Sequence, residues 1–159
     1  LLTTPLRSSD FVSGYSLPYL LVAIVQAVVL LSVGAILGLD SDGSVVLVAL
    51  ILALMAVFYV ALGMILGALL TVAQTSGSYA LELILTIFGG AWFELQEIGG
   101  VFLAIGDVLP IKHALDAARA VMADGAGLSE IATDLYWIGA YTVGAVALAI
   151  AVFQRRMSE

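Results

Sequence analysis

Two long stretches without a charged side chain constrain this sequence more than any other feature. They run from Phe11 to Leu39 and from Val45 to Ala80. A helix that crosses the hydrocarbon core of a bilayer needs about 20 consecutive, mostly apolar residues, so each stretch is long enough for a crossing. We therefore predict an all-α fold, a polytopic transmembrane helix bundle that forms a single membrane domain over residues 1–159.

Composition argues against a soluble domain and against several kinds of site. Hydrophobic residues make up 63% of the chain and charged residues 11%, whereas about a quarter of an ordinary globular domain is charged. A soluble domain of this size could not bury so much apolar surface, so a lipid bilayer is the expected surrounding. The net charge of −7 leaves no basic surface for nucleic acid, and a chain with no Cys and one His offers no disulfide framework or metal cluster.

The hydrophobic pattern predicts four crossings that follow a cytoplasmic segment, 1–16. The predicted spans are residues 17–39, 45–71, 78–93 and 131–153. Pro18 is expected in the first turn of the first span, where its missing N–H costs nothing. Ser129 is expected to cap the last span, and Gln154-Arg155-Arg156 is expected to end it.

A more polar segment, 94–128, separates the last two spans and is predicted to be extracellular. Its first part contains Glu94 and Glu97 between glycine pairs, which predicts a broken, partly re-entrant segment. From Pro110 to Gly125 the pattern is that of an amphipathic helix lying along the membrane interface. The apolar face is predicted to contain Ile111, Ala114, Leu115, Ala118 and Met122, and the remainder of the helix Lys112, His113, Asp116 and Arg119.

An even number of crossings places both ends of the chain on one side of the membrane. Arg7, Arg155 and Arg156 mark that side as cytoplasmic under the positive-inside rule, and most acidic residues fall on the other side. We therefore expect an integral, multi-pass protein of the plasma membrane with both ends of this chain in the cytoplasm.

Four polar residues are candidate pathway or gate residues: Gln26, Glu82, Glu94 and Glu97. A carboxylate within a span is costly, so Glu82 either lines a path or reaches the cytoplasmic interface in a structural role. Gln26, in mid-span, is expected to hydrogen-bond to another helix. Glu94 and Glu97 are expected to form a solvated outer rim, and His113 is expected to be a surface residue.

Two pairs of glycines, Gly34 with Gly38 and Gly63 with Gly67, each place two small residues on one helix face. This spacing predicts close packing between helices of this chain or a dimer seam. The sequence contains no P-loop of the form Gly-x4-Gly-Lys-Ser/Thr, so we do not expect the chain to bind ATP by that motif.

Segments at both ends of the chain carry a resemblance to a known family. The opening Leu1-Leu2-Thr3-Thr4-Pro5-Leu6-Arg7 resembles the cytoplasmic segment of the type-2 ATP-binding-cassette (ABC) exporter permeases, which include the daunorubicin-type multidrug permeases. The outer signature of that family is similar to Asp107-Val108-Leu109-Pro110 with Ala117-Ala118-Arg119, and its basic tail is similar to Phe153-Gln154-Arg155-Arg156.

The sequence departs from the family pattern in two ways. Glu94 follows Trp92-Phe93 where Pro is common in the family, and four crossings are predicted in place of six. The second departure leads us to expect an N-terminally truncated permease.

The resemblance implies a transport subunit of an exporter, and not an enzyme. Two permease copies would pair as a homodimer, and each would rest on a separate ATPase subunit that binds the ATP, so this chain would hold no cofactor. The ATPase-coupling interface would comprise Leu2, Thr3, Thr4, Pro5, Leu6 and Arg7. The outer segment 94–128 would form an extracellular gate, and the activity would be efflux of a hydrophobic or amphipathic substrate across the plasma membrane.

Two other function classes stay open at this point. An intramembrane enzyme could use Glu82, Glu94 or Glu97 as acid–base groups, although none has a partner His or Asp at helical spacing. A non-transporting membrane scaffold or assembly protein would need none of them. Two further hydrophobic spans in the upstream coding sequence would favour the permease.

Overall fold

A computed structural model describes residues 8–38, 43–71 and 74–158 of the chain. This part of the chain contains seven helices and no β-strand. The helices are α1 (Ser8–Ile36), α2 (Val45–Leu69), α3 (Thr75–Phe88), α4 (Leu95–Ile98), α5 (Gly100–Gly106), α6 (Pro110–Asp124) and α7 (Ala132–Ser158). The prediction of an all-α fold is confirmed.

Three of these helices are long and apolar enough to cross a bilayer. They are Ser16–Ile36 within α1, Val45–Leu69, and Ala132–Arg155 within α7. Large apolar side chains of α1, among them Leu21 and Val25, are more than half exposed. Soluble monomers rarely present apolar surface of this extent, whereas a helix in lipid requires it. The prediction of a polytopic membrane bundle is thus confirmed.

Helix α2 lies at the centre of the bundle and packs against α1, α6 and α7. The hydroxyl of Ser16, in the first half of α1, donates to Sδ of Met64 near the end of α2 at 3.5 Å. Near the other end of α1, Leu31 packs against the core cluster that contains Val48, close to the start of α2. Helices α1 and α2 are therefore antiparallel.

Helix α7 runs parallel to α2. Ile138, early in α7, is part of the core cluster at the start of α2, and Ala149 packs against Ile65 towards the end of α2. The start of α1 and the ends of α2 and α7 consequently lie at one end of the bundle, which we call the lower end. The opposite end, which contains α6, is the upper end.

The larger part of the core lies in the upper half, because α6 inserts there beside α2 and α7. Ala117 and Val121 of α6, Ile51 of α2 and Ile138 of α7 are almost completely buried together. Among the described residues, the lower core contains Ala61, Ile65 and Ala149. In lipid, contacts between helices are stabilised by close packing and not by the exclusion of water. Because the larger core cluster lies in the upper half, this half is the better packed end.

The helix in the third predicted span is shorter than expected. Helix α3 has 14 residues and ends at Phe88, a length of about 21 Å, whereas the hydrocarbon core is about 30 Å thick. Gly90 has a φ of +79°, and Gly89 lies so close to Ile111 of α6 that an added Cβ would collide with that side chain. These glycines end the helix before the predicted boundary at Phe93, and a fourth crossing stays a prediction.

Helix α1 begins earlier than predicted. It starts at Ser8, so Pro18 lies inside the helix and not in its first turn. A proline inside a helix removes one hydrogen bond and places its ring against the carbonyl four residues earlier, here that of Gly14. The apolar pattern alone could not indicate this start, because residues 8–16 include both polar and apolar side chains.

Helix α7 begins later than predicted and ends later as well. Its first residue is Ala132, so Ser129 is not its cap. The carboxylate of Glu130 instead accepts a hydrogen bond from the backbone N–H of Gly127 at 2.6 Å, which forms a turn before the helix. The helix then continues through the basic residues to Ser158.

The segment between α3 and α6 is broken, as predicted. Helices α4 and α5 are short, and they meet at Gly99 and Gly100, whose φ angles of +65° and +60° glycine adopts without strain. Helix α6 then begins at Pro110 and ends at Gly125 in the left-handed C-cap conformation, which confirms the predicted bounds.

Candidate functional site

A cavity of about 880 Å³, which we call the lower cavity, lies between α2 and α3 in the lower half of the bundle. Its lining is mostly aliphatic and comes from the second half of α2 and from α3, with Phe153 contributed by α7. Three tyrosines and two other polar side chains also reach it: Tyr19, Tyr59, Tyr79, Ser78 and Glu82.

Glu82 is the charged residue of this cavity. It lies in α3, its side chain is exposed, and no described basic residue forms an ion pair with its carboxylate. Its backbone carbonyl accepts a hydrogen bond from the hydroxyl of Thr86 at 2.7 Å. Glu82 borders the lower cavity and is exposed, so lining a path and reaching the cytoplasmic interface both stay predictions for this residue.

The other candidate residues do not converge on this site. Gln26 is exposed on α1, and among the described residues its side chain makes no hydrogen bond, so the predicted bond to another helix is not found. Glu94 borders a second cavity in the upper half, and Glu97 is exposed on α4. Since Glu82 lies at the lower cavity and Glu94 and Glu97 lie together at α4, the three carboxylates do not form a shared acid–base site. The predicted coupling residues, Leu2–Arg7, lie outside the described residues.

The glycine pair of α2 does not mediate packing within this part of the chain. Gly63 and Gly67 line the lower cavity, and a Cβ added at either position would meet no heavy atom within 4 Å. The predicted close approach of another helix of this chain is therefore wrong for the residues described. In the other pair, Gly38 lies beyond the end of α1 with a φ of +76°, so the two glycines do not share one helix face.

The upper half contains a polar layer on α6, and Lys112 is its most buried charge. The residue is only 8% exposed, contrary to its predicted place on the polar face. Its Nζ donates to Oδ2 of Asp116 at 2.8 Å and lies 3.0 Å from Oδ1 of Asp107. Burial alone lowers the pKa of Lys112, but the hydrogen bonds and negative charges of Asp116 and Asp107 outweigh it, and the pKa lies above 10.5.

His113 is a second part of this layer and is not the surface residue that the sequence suggested. Its Nδ1 lies 2.7 Å from Oδ1 of Asp134 in α7, and its Nε2 lies 3.0 Å from the backbone carbonyl of Asp107. The ring also stacks on Trp137, with ring centres 5.3 Å apart. His113 thus connects α6 to α7 and to the loop that precedes α6.

Arg119 connects α6 to the glycine turn after α3. Its Nη2 donates to the carbonyl of Gly90 at 2.8 Å, and its Nη1 lies 3.7 Å from Asp116. The upper cavity, of about 410 Å³, lies beside these groups. Its charged lining residues are Glu94, Lys112, Asp116, Arg119, Asp124 and Asp134.

The sequence contains a partial signal for this layer. Lys112 and Asp116 have the i, i+4 spacing of a helical ion pair, but a pair of this kind is usually solvated. No pattern indicated that Asp107, Asp134 and Trp137 from neighbouring segments would surround α6. Among the described residues, no group of three or more His, Asp or Glu side chains is arranged to hold a metal ion.

Comparison with known proteins assigns the chain to a family. Residues 1–123 match the model of the ABC-2 type transporter family. The chain is also 32% identical over 130 residues to ABC transporter G family member 20 of Dictyostelium discoideum, an alignment that covers 77% of this chain and 17% of that protein. No solved structure matches the chain. With its membrane-spanning helices, the chain belongs to the ABC-2 type transporter family and is an integral, multi-pass membrane protein.

Proposed function

We propose that this chain is part of the permease subunit of an ABC-type exporter, which moves a hydrophobic or amphipathic substrate out of the cell. The family match over residues 1–123 is the observation that carries this proposal. The mostly apolar lower cavity agrees with such a substrate, since small-molecule sites are largely apolar clefts with a few polar groups.

The energy for transport would come from a separate ATPase subunit. The resemblance of the chain to the type-2 exporter permeases, which rest on a separate ATPase subunit, supports ATP binding on the partner. Two permease copies would form a homodimer, with an ATPase beneath each. Leu2–Arg7 would dock on the ATPase and transmit its movement into α1, because a short segment with a fixed proline can pass a rigid-body displacement to the helix it precedes.

The lower end of the bundle would face the cytoplasm of a cell whose plasma membrane contains the protein. The start of α1 and the end of α7 lie at this end, and Arg155 follows the apolar part of α7 there. Basic residues that flank spans are retained on the cytoplasmic side. In this orientation, α4, α5 and α6 would form the extracellular layer.

Reconstitution of the full-length protein with its candidate ATPase tests the proposal. We expect the two proteins to copurify and the permease to stimulate ATP hydrolysis in proteoliposomes. Pro5→Gly with Arg7→Glu should abolish the stimulation without preventing membrane insertion. Glu97→Gln, which changes an exposed charged residue in the segment between α3 and α6, is the control and should retain stimulation. A full-length permease that associates with no nucleotide-binding subunit would refute the proposal.

A further inference from the structure

Five rings in contact lead from the wall of the lower cavity to the polar layer on α6, and we call them the aromatic chain. Tyr59 lines the cavity, and its ring centre lies 5.6 Å from that of Phe58, the preceding residue on α2. The ring centre of Phe58 lies 6.5 Å from that of Tyr141 in α7, and Tyr141 lies 6.1 Å from Trp137. Trp137 stacks on His113 at 5.3 Å. All four distances are within the range of about 4.5–7 Å in which aromatic rings attract one another.

The upper end of the aromatic chain holds the loop between α5 and α6. The hydroxyl of Tyr141 donates to the carbonyl of Val108 at 2.6 Å, and Nε2 of His113 lies 3.0 Å from the carbonyl of Asp107. These two carbonyls are consecutive in the loop, which leads into Pro110 at the start of α6. A displacement of the rings would therefore act on both carbonyls together.

The lower end of the aromatic chain borders open space. Gly63 lies about one helical turn after Tyr59 on α2, and both residues line the lower cavity. A helical side chain covers the turn that precedes its own Cα, so a group placed in the cavity at Gly63 would press on the ring of Tyr59. The next ring, that of Phe58, is buried in the larger core cluster. It cannot shift without displacing its neighbours, because protein interiors are densely packed.

We propose that the aromatic chain is a conformational link, which makes the loop between α5 and α6 respond to the filling of the lower cavity. Displacement of Tyr59 passes through the packed rings to Tyr141 and His113, and the contacts of these two residues with the loop weaken. Chains of packed side chains can carry such coupling between distant places in a protein. The link itself is independent of the proposed function, and only its use in transport rests on that function.

Gly63→Leu tests the link without any ligand. A Cβ at this position meets no atom within 4 Å, and the rest of the leucine side chain would fill the cavity beside Tyr59. The readout is amide exchange by mass spectrometry, with the full-length protein in nanodiscs, in a peptide that covers residues 103–109. The amides of residues 107–109 are hydrogen-bonded, so their exchange reports opening of the loop. We expect exchange to be about threefold faster than in the wild-type protein.

Gly67→Leu is the matched control. It adds the same side chain to the same helix and the same cavity, and its Cβ also meets no atom within 4 Å. Because position 67 lies one turn farther from Tyr59, exchange of the loop should stay unchanged.

Two further variants interrupt the link at different points. Phe58→Leu removes a ring from the middle of the aromatic chain, so the addition of Gly63→Leu to this variant should cause no further acceleration. Tyr141→Phe keeps its ring but loses the hydroxyl that reaches Val108. It should accelerate exchange by itself and reduce the additional effect of Gly63→Leu. Double-mutant cycles of this kind measure the coupling between two positions.

Faster exchange in Gly63→Leu that is absent from Gly67→Leu and does not add to the effect of Phe58→Leu supports the link. Unchanged exchange in a folded Gly63→Leu protein, an equal increase in Gly67→Leu, or full additivity with Phe58→Leu means that the rings serve only as core packing, and overturns it. If Phe58→Leu does not fold, the comparison of the two glycine variants decides.

If Gly63→Leu does not fold, Tyr59→Leu takes its place, because it removes the first ring of the aromatic chain. Its control is Tyr79→Leu, which changes a cavity tyrosine outside the aromatic chain. Faster exchange of the loop in the first variant alone supports the link, and equal exchange in the two overturns it. These measurements need no ATPase, so a permease that associates with no ATPase would refute the proposed function and leave the test of the link unaffected.

Discussion

His113 and Asp134 join α6 to α7 through a contact of 2.7 Å between Nδ1 and Oδ1. The other ring nitrogen of His113 faces a second acceptor, the carbonyl of Asp107. The two contacts therefore connect α6 both to α7 and to the loop that precedes α6.

Asp134→Asn is expected to loosen this junction. The amide keeps the shape of the carboxylate but loses its charge, so the contact with the ring of His113 should weaken. With side chains that are 13% and 26% exposed, the loss should be about 1–2 kcal/mol of unfolding free energy, seen as a lower Tm in nanodiscs. Because the chain has a single His, the ¹⁵N NMR signals of the ring report this contact without ambiguity.

The control for that variant is Asp124→Asn, which alters an exposed acid at the end of α6. It should change neither Tm nor the ring signals. An unchanged Tm together with unchanged ring signals in Asp134→Asn would contradict the role of this contact in joining α6 to α7.

Lys112 predicts a loss of stability at alkaline pH. Because its pKa in the folded protein lies above 10.5, the stabilisation by Asp107 and Asp116 is fully present below that pH and is lost as the pH rises through the folded value. The Tm of the wild-type protein should therefore decrease as the pH is raised above 10.5. Lys112→Met, which has no charge to lose, should be less stable at neutral pH and should show a flatter decline above it. If the Tm of the two proteins declines equally with pH, groups other than Lys112 cause the loss of stability at alkaline pH.

Arg119 is expected to hold the turn after α3. Arg119→Ala removes its hydrogen bond to the carbonyl of Gly90. Such a bond is worth about 1 kcal/mol at a partly exposed site, so its loss should make amide exchange in the turn about fivefold faster. Hydrogen exchange read by mass spectrometry in a peptide that covers residues 86–95 measures this change. Asp124→Ala on the same helix should leave exchange in that peptide unaltered, and an equal increase in both variants would speak against a specific anchor.

Two glycines should respond in opposite ways to the same substitution. A Cβ at Gly43 would collide with the backbone carbonyl of Val121 in α6, so Gly43→Ala should lower stability by about 1–3 kcal/mol. Gly63→Ala meets no atom within 4 Å and should be neutral or stabilising, because alanine is the better helix former. Thermal unfolding of both variants in nanodiscs tests the contrast. Destabilisation by Gly63→Ala would indicate that another helix packs on this face.

The sequence predicts best the features that depend on the length of an apolar run. The three spanning helices and α6 were predictable because hydrophobic periods, Pro110 and Gly125 act locally. Helix ends were less predictable, since α1 extends back to Ser8 through residues without a clear period. The early end of α3 depends on how closely Gly89 approaches α6, which is a tertiary property.

The sequence indicates which residues are candidates for a site, but it does not indicate which residues surround them in the fold. Glu82 stood out because an acid interrupts an apolar run, but the cavity beside it depends on how α2 and α3 are spaced. Lys112 and His113 were placed on an exposed face because their partners Asp107 and Asp134 come from other segments. Helical periodicity reports one helix at a time and carries no information on such neighbours.

The uneven distribution of the core between the two halves of the bundle has a mechanical consequence. In the upper half, large apolar side chains and the charges on α6 bind three segments together, whereas in the lower half mainly small side chains of α2 and α7 meet. A force applied at the lower end should therefore separate the helices there. The upper half should move as one rigid unit and act as the hinge of this motion.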